Sequence, residues 1–182
     1  MGSKSKTILD KNGLSHTIIR ICDEIVKRNK TKSGLAALAI IGIRTRGDII
    51  AKRIAECIKK KYKYEIPLGV LDITLYRDDL TTISAHPIVR STDIPFDLTG
   101  KRIILVDDVL STGRTIRAAM DAIVDFGRPT NIQLAILVDR GLREFPIQGD
   151  YVGASLSTKQ NENVEVRLKE SDGKDEIVLI KK

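Results

Sequence analysis

The sequence lacks the features of membrane, secreted and thiol-rich proteins. Its 182 residues contain no apolar run near the roughly 18 residues of a membrane span, and MGSKSKTILD at the start has no apolar core of a secretion signal. The two cysteines, Cys22 and Cys57, stand in separate helix-like segments without C-x-x-C spacing. We therefore expect a cytoplasmic protein with two buried thiols, rather than a disulfide or a metal-thiolate site.

Two common nucleotide-binding motifs are also missing. Neither G-x-x-x-x-G-K-[ST] nor G-x-G-x-x-G occurs, which counts against ordinary nucleoside triphosphatases and dinucleotide enzymes. The formal net charge of +7 predicts polyanionic partners, either nucleic acid or phosphorylated small molecules. Charge alone does not choose between them, because much of the excess lies in IKKKYKY (58–64) and at the chain ends, where a solvated surface is the simpler interpretation.

The apolar pattern alternates between helix-like and strand-like segments. Helical spacing occurs in 14–28, 47–62 and 113–127, and continuous apolar runs predict strands in 35–43, 66–76, 102–106 and 132–138. Apolar strands separated by helices are typical of a parallel sheet covered on both faces. We predict an α/β fold, with residues 1–182 forming one domain.

Two segments depart from this alternation. Residues 76–101 are polar, contain two prolines and show no sustained period, so we expect a long surface loop; a lid or binding loop and simple disorder both remain open. Residues 163–182 resemble two short strands joined across a Ser-Asp-Gly turn.

The junction RIILVDDVLSTGRTIRAA (102–119) carries the main candidate site. In an open parallel sheet, ligands bind beyond the carboxyl ends of the strands, where loops meet helix N-termini. LSTGRT (110–115) supplies three hydroxyls and a glycine that lets successive N–H groups turn toward a phosphate. We therefore predict a phosphate-binding loop.

Asp107 and Asp108 need a separate explanation, because two carboxylates would repel a simple phosphate. They fit a ligand that also offers hydroxyl groups or a metal ion, and a phosphorylated sugar satisfies this requirement. The alternative is that the pair only caps the following helix.

ILVDDVLSTGRT closely resembles the phosphoribosyl diphosphate fingerprint of type I phosphoribosyltransferases. IGIRTRGDIIAKRI, DITLYRDDL, GRPTNIQLAILVDRG and REFPIQGDYVG resemble one branch, the bifunctional pyrimidine operon regulatory protein and uracil phosphoribosyltransferase family. The resemblance covers about residues 8 to 180. It implies a mostly parallel five-stranded core flanked by helices, a small hood from the N- and C-terminal segments, a lid over about 76–101, and a homodimer or higher oligomer.

The resemblance also implies an activity: uracil reacts with phosphoribosyl diphosphate to give UMP and diphosphate, with Mg²⁺ held mainly by substrate oxygens and water. Arg77, Asp107 and Asp108 are the implied catalytic residues, with Arg77 neutralising the departing diphosphate. The ligand-binding positions implied are Thr45, Arg46, Gly47, Asp107, Asp108, Val109, Leu110, Ser111, Thr112, Gly113, Arg114, Thr115, Asp139, Arg140 and Val164.

The family's second role, UMP-dependent binding of pyrimidine messenger RNA, is less well matched. Arg20 and Arg28 stand at RNA-contacting positions. Where RNA-binding members typically carry other polar or basic side chains, this chain has Ile19, Asp23, Leu142, Gln148 and Ala154. We therefore predict weak RNA binding. Two alternatives to an enzyme remain: an RNA-binding attenuation regulator, and a non-catalytic phosphoribosyl diphosphate sensor.

Overall fold

The computed structural model describes residues 5–76 and 91–181, and a five-stranded parallel sheet forms its centre. The strands in chain order are β1 Ser5–Leu9, β2 Leu38–Ile43, β3 Leu68–Leu71, β4 Arg102–Leu110, β5 Asn131–Asp139, β6 Tyr151–Ser155, β7 Glu162–Arg167 and β8 Glu176–Lys181. The central sheet has the order β3-β2-β4-β5-β6, and each neighbouring pair is parallel. This confirms the predicted α/β fold and its five-stranded core.

Helices cover both faces of this sheet. They are α1 Lys11–Asn29, α2 Gly47–Tyr62, α3 Arg114–Phe126 and the short α4 Lys169–Asp172. Ile40 packs in the cluster on the α1 and α2 side, whereas its neighbour Ile41 packs in the cluster on the α3 side. Because successive side chains of a strand point to opposite faces, a strand buried on both faces needs a continuous apolar run.

The N- and C-terminal segments form a second sheet. Its strands are antiparallel in the order β1-β8-β7. The connection between β7 and β8 was predicted to be a Ser-Asp-Gly turn, but it contains α4, which ends where Gly173 adopts a φ of 76°. The small antiparallel sheet provides the predicted hood, while the assignment of residues 1–182 to one domain stays a prediction.

The predicted ends of a helix or strand agree best with the structure where the apolar pattern recurs over many residues. Helix α2 begins and ends as predicted at 47 and 62. The strand predicted over 66–76 is shorter: after β3, the Asp72 side chain accepts a 2.8 Å hydrogen bond from the Thr74 N–H, and a 3-10 turn follows at Thr74–Tyr76.

Strand β4 is longer than predicted. The prediction placed Asp107 and Asp108 in a loop after residue 106, but both lie inside β4, where Asp107 pairs with Ile136 and Leu110 pairs with Asp139 of β5. The correction follows from the partner strand, because pairing with β5 holds four further residues extended after Val106.

The segment predicted as a loop over 76–101 is described only in part, because residues 77–90 lie outside the described ranges. Asp93 forms an antiparallel bridge with Val70, and Leu98 is fully buried in the cluster on the α3 side. The end of this segment therefore packs against the core instead of lying wholly on the surface.

The two cysteines lie on neighbouring helices. Cys22 of α1 is buried as predicted, whereas Cys57 of α2 is only partly buried. Burial and a hydrogen bond with the Cys57 thiol raise the pKa of Cys22 well above its ordinary value. Within the described ranges, none of the helices has the length and apolar character needed to cross a membrane.

Candidate active site

The phosphate loop predicted after β4 leads directly into α3. Gly113 is the N-cap of this helix and has a φ of 92°, a left-handed conformation that favours glycine. Its carbonyl accepts a 2.9 Å hydrogen bond from the Arg117 N–H, which begins the helical pattern. The first N–H groups of a helix have no intrahelical partner, so this junction can donate hydrogen bonds to a phosphate.

A second loop supports the phosphate loop from outside. Arg143 donates a 2.8 Å hydrogen bond to the Ser111 carbonyl, and the N–H groups of Glu144 and Phe145 donate to the Thr112 carbonyl at 2.9 and 3.0 Å. These bonds fix the course of the backbone through Ser111 and Thr112. The carbonyls of Ser111 and Thr112 therefore already have hydrogen-bond donors within the chain.

Arg143 is a site residue that the sequence did not reveal. Besides Ser111, it contacts the Asp139 carboxylate and the Ile147 carbonyl. Although burial opposes it, hydrogen bonds from Arg143 and from the Gly141 N–H lower the pKa of Asp139. The four-residue spacing of Asp139 and Arg143 was visible, but it predicts contact only on a helix.

The Arg114 side chain already contacts Glu144 and Phe145. Its Nε donates a 2.6 Å hydrogen bond to Glu144, and its guanidinium lies over the Phe145 ring, 5.3 Å from the centroid. The sequence prediction that the backbone of this loop binds phosphate therefore does not require the Arg114 guanidinium.

The acidic pair lies where β4 reaches this loop. Asp107 is buried and accepts a 2.9 Å hydrogen bond from the Asp108 N–H; Asp108, partly buried, accepts one of 2.8 Å from the Val109 N–H. Burial, with the nearby Asp108 charge, raises the pKa of Asp107 well above its usual range. Burial also raises the pKa of Asp108, against the opposing effects of the Val109 N–H and Arg46.

The loop 44–47, which contains the implied ligand-binding positions Thr45, Arg46 and Gly47, joins β2 to α2 and lies against β4. A Cβ atom on Gly47 would lie 2.4 Å from the Val106 carbonyl oxygen and 3.1 Å from the Asp107 Cα. Such an approach is open only to glycine. The structure thus brings the loop containing Thr45 and Arg46 beside the acidic pair; its Arg44–Thr45 peptide is cis.

Arg140, which follows Asp139 at the end of β5, connects the site to the hood. The Arg140 N–H donates a 3.0 Å bond to the Leu110 carbonyl, and its guanidinium donates to the Glu162 carbonyl at 2.6 Å and to the Asn163 Oδ1 at 3.1 Å. The next residue, Val164, has a buried side chain. Because a valine side chain has no polar atoms, any polar contact from Val164 must come from its backbone.

An open cavity of about 350 Å³ lies between residues 111–112 of the phosphate loop, residues 142–144 and Gln160. Its lining comprises Ser111, Thr112, Leu142, Arg143, Glu144 and Gln160. Hydroxyl, amide, guanidinium and carboxylate groups make this a largely polar cavity.

The implied catalytic residue Arg77 lies outside the described residues. The chain leading to it is held at α3: the Tyr76 hydroxyl donates a 2.7 Å hydrogen bond to Asp125, and Arg117 donates to the Tyr76 carbonyl at 3.5 Å.

Over 5–76 and 91–181, no group of three or more His, Cys, Asp or Glu side chains could hold a metal ion.

The two predicted RNA-contacting arginines lie on α1 and already have partners. Arg20 forms a 2.7 Å ion pair with Glu24 and donates to the carbonyls of Val152 and Gly153. Arg28 forms a 2.9 Å ion pair with Asp150. The positive charge of these two arginines, on the surface formed by α1 and β6, is therefore partly neutralised.

Asp23, on the same helix, also has a cationic partner. Its carboxylate accepts 2.7 Å hydrogen bonds from Lys61 and a 2.8 Å bond from the Tyr62 hydroxyl. The hydrogen bond from Lys61 is the main reason that the pKa of Asp23 is lowered.

The parallel core sheet, the hood and the loops after β2 and β4 define a type I phosphoribosyltransferase fold. A family model described as a phosphoribosyl transferase domain matches residues 6–171. The chain belongs to the phosphoribosyl transferase family and, within it, to the group of relatives named bifunctional protein PyrR.

Those relatives match almost end to end. The protein of Pelotomaculum thermopropionicum is 52% identical over 180 residues, covering 99% of this chain and 98% of the relative. That of Thermus aquaticus is 56% identical over 169 residues, covering 93% and 92%. The hypoxanthine phosphoribosyltransferase structure of Trypanosoma cruzi aligns with a TM-score of 0.71 at 15% identity, covering 97% of this chain and 96% of that one, and shows the shared fold.

Proposed function

We propose that the protein is a uracil phosphoribosyltransferase. In the reaction, uracil N1 attacks C1 of phosphoribosyl diphosphate, the bond from C1 to the diphosphate oxygen breaks, and the N1 proton leaves to give UMP and diphosphate. The observation that carries this proposal is the contact of Gly47 with β4, which brings the two phosphate-type loops together around Asp107 and Asp108.

Each loop has a distinct role in this proposal. N–H groups at the start of α3 hold the 5′-phosphate, and the loop with Thr45, Arg46 and Gly47 holds the diphosphate. Asp107 and Asp108 accept hydrogen bonds from the ribose hydroxyls. These contacts fix C1 in place for attack, and positioning of this kind is a large part of the catalysis of a bimolecular reaction.

The remaining groups act on charge and water. A Mg²⁺ ion would be held mainly by substrate oxygens and water, with Asp107 and Asp108 available as oxygen ligands, and would neutralise part of the diphosphate charge. We propose that Arg77 adds positive charge near the diphosphate as the glycosidic bond breaks. We also propose that the segment beginning at Arg77 excludes water from the reacting atoms. No side-chain nucleophile is required.

The choice of base is a finer proposal. The relatives' names do not state a base, and the purine enzyme shares only the fold. Uracil is supported by the whole-chain resemblance, which implies that the base is recognised through backbone groups near Val164, beside the contact of Arg140 with Asn163. Hydrogen bonds from a fixed backbone discriminate strongly between bases, because an unmatched base leaves buried polar groups unpaired.

The first prediction is that the purified protein with Mg²⁺ converts uracil and phosphoribosyl diphosphate to UMP. Hypoxanthine, guanine and orotate should each react at least about a hundredfold more slowly in kcat/KM, since mismatched polar groups cost several kcal/mol. Chromatography of the nucleotide products measures this directly. Turnover of a purine or orotate without turnover of uracil would overturn the base assignment, and binding of phosphoribosyl diphosphate with no turnover of any base would favour a non-catalytic sensor.

RNA binding is a second candidate function, since the relatives are named bifunctional. We propose that it is weak and mainly nonspecific in this chain. Specific RNA recognition needs cations for phosphates and side chains that discriminate bases. Arg20 and Arg28 already pair with Glu24 and Asp150, and Asp23 on the same helix pairs with Lys61, so these three cations are partly neutralised.

The second prediction concerns this RNA surface. With UMP present, filter binding should give similar curves for a pyrimidine-leader hairpin and a scrambled hairpin, and both should weaken steeply between about 50 and 200 mM salt. The net charge of +7 supplies the attraction that remains. Nanomolar, salt-resistant preference for the leader hairpin would contradict this prediction and restore regulation to equal rank with catalysis.

A further inference from the structure

The short helix α4 of the hood contacts the proposed diphosphate loop through one ion pair. Asp172 accepts hydrogen bonds from Arg46 on both carboxylate oxygens: Nη2 to Oδ1 at 2.9 Å and Nε to Oδ2 at 3.3 Å. The two residues are 126 positions apart in the chain. A paired geometry of this kind fixes the plane of the guanidinium as well as its position.

The Asp172 carboxylate is itself held in place. Its Oδ2 accepts a 2.9 Å hydrogen bond from the Leu168 N–H and a 2.6 Å bond from the Ser171 hydroxyl. Arg46, together with these two donors, lowers the pKa of Asp172 far below its ordinary value. Asp172 therefore presents a fixed negative charge to Arg46 throughout the neutral pH range.

Arg46 keeps donors for a ligand while it is bound in this way. A guanidinium has five N–H donors, and Asp172 engages one edge of it through Nε and Nη2. The positive charge of Arg46 also opposes the rise in the pKa of Asp108, so it acts on the acidic pair as well as on Asp172. Arg46 thus lies between the hood and the site.

We propose that Asp172 is a positioning residue that orients Arg46 for the diphosphate of the substrate, an inference that rests on the proposed function. An arginine side chain that is already ordered loses less conformational freedom when the ligand binds. The opposite role, in which Asp172 competes with diphosphate, would require it to release Arg46. The two additional hydrogen bonds that hold Asp172 oppose such a movement.

The variant Asp172→Asn tests this role. Its amide oxygen can still accept from the Leu168 N–H, but the negative charge facing Arg46 is lost. We expect the Kd for phosphoribosyl diphosphate with Mg²⁺, measured by titration calorimetry, to rise about tenfold, as for loss of one charge-assisted hydrogen bond. In steady-state assays the KM for phosphoribosyl diphosphate should rise more than kcat falls.

The same helix provides a matched control. Glu170 pairs with Arg53 of α2, as does Asp175, so Glu170→Gln weakens the same interface without touching Arg46. Its Kd should remain within about twofold of wild type. Ser171→Ala removes only one donor to Asp172 and should weaken binding by about twofold to threefold, which decides the question if Asp172→Asn fails to fold.

A double variant tests whether Asp172 acts through Arg46. In an Arg46→Ala background, Asp172→Asn should produce no further weakening of binding. Equal or tighter binding by Asp172→Asn, equal weakening by Glu170→Gln, or additive effects with Arg46→Ala would each overturn the positioning role while leaving the proposed function standing. Failure of the wild-type protein to bind phosphoribosyl diphosphate would overturn both.

Discussion

Replacing Gly47 with alanine should reduce kcat/KM by at least about a hundredfold, the cost of displacing reacting groups by about 1 Å. The new Cβ would lie 2.4 Å from the Val106 carbonyl oxygen, which belongs to the backbone of β4 and cannot rotate away. The loop carrying Thr45 and Arg46 would have to move off β4. Steady-state kinetics with phosphoribosyl diphosphate and uracil would measure the loss, and thermal unfolding should show a lower Tm.

Gly13→Ala is a suitable control for this change. Gly13 lies in the first turn of α1, where a Cβ would meet the flexible end of Leu9, at 3.1 Å from Cδ2. Alanine is the better helix former by roughly 0.5 to 1 kcal/mol, so the control should keep full activity with equal or slightly higher stability. Wild-type kinetics in Gly47→Ala would mean that the 44–47 loop does not contact the substrate.

The double change of Asp107 and Asp108 to asparagine should lower kcat/KM at least about tenfold, a loss of roughly 1.4 kcal/mol in transition-state binding. Asparagine retains an oxygen that can accept from the N–H groups of Asp108 and Val109, so the local backbone should persist. Unchanged kinetics in a folded double variant would mean that the pair only supports the chain before α3.

The same variant should be more stable than wild type at neutral pH. Burial raises the pKa of both carboxyls in the folded state, so their ionisation favours unfolding. This penalty is absent below the unfolded pKa of about 4 and grows as the pH rises toward the raised folded values. The Tm advantage of the variant should therefore be near zero at pH 4 and largest at pH 7 to 8. A lower Tm for the variant at pH 8 would show that the native charges are fully compensated.

The inner strands of the central sheet and its helices were predictable because β2, β4 and β5 are largely buried on both faces. Ile40 and Ile41 pack on opposite sides, so no polar residue interrupts β2, and its apolar run stands out in the sequence. The recurrence of Ile50, Ile54 and Ile58 at every fourth residue similarly predicted α2, whose observed bounds agree with the predicted 47–62. Long periodic segments can be recognised in a sequence because their apolar residues recur with the period of the helix or strand.

The short and edge elements were not predictable in the same way. Strands β1 and β6, each five residues long, and α4, of four residues, are too short to establish a period. The end of β4 was not predicted because it contains Asp107 and Asp108, and paired carboxylates in a sequence indicate a loop more often than a strand. Pairing with β5 overrides that local preference.

Parts of the site depend on contacts between distant segments. Arg143 reaches Ser111 across 32 positions and Asp172 reaches Arg46 across 126, and no local pattern encodes either distance. The phosphate loop was recognisable because its glycine, hydroxyls and helix start are consecutive. The groups that hold it and its partner loop in place were visible only in the folded chain.

A crystal structure with phosphoribosyl diphosphate and Mg²⁺ bound would test most directly whether the two loops form one substrate site. We expect the 5′-phosphate within hydrogen-bonding distance of the N–H groups of residues 111–115, the ribose hydroxyls on Asp107 and Asp108, and the diphosphate beside Arg46 and Gly47. Density for the ligand on the α1 and β6 surface, or a diphosphate placed at the start of α3, would contradict the account.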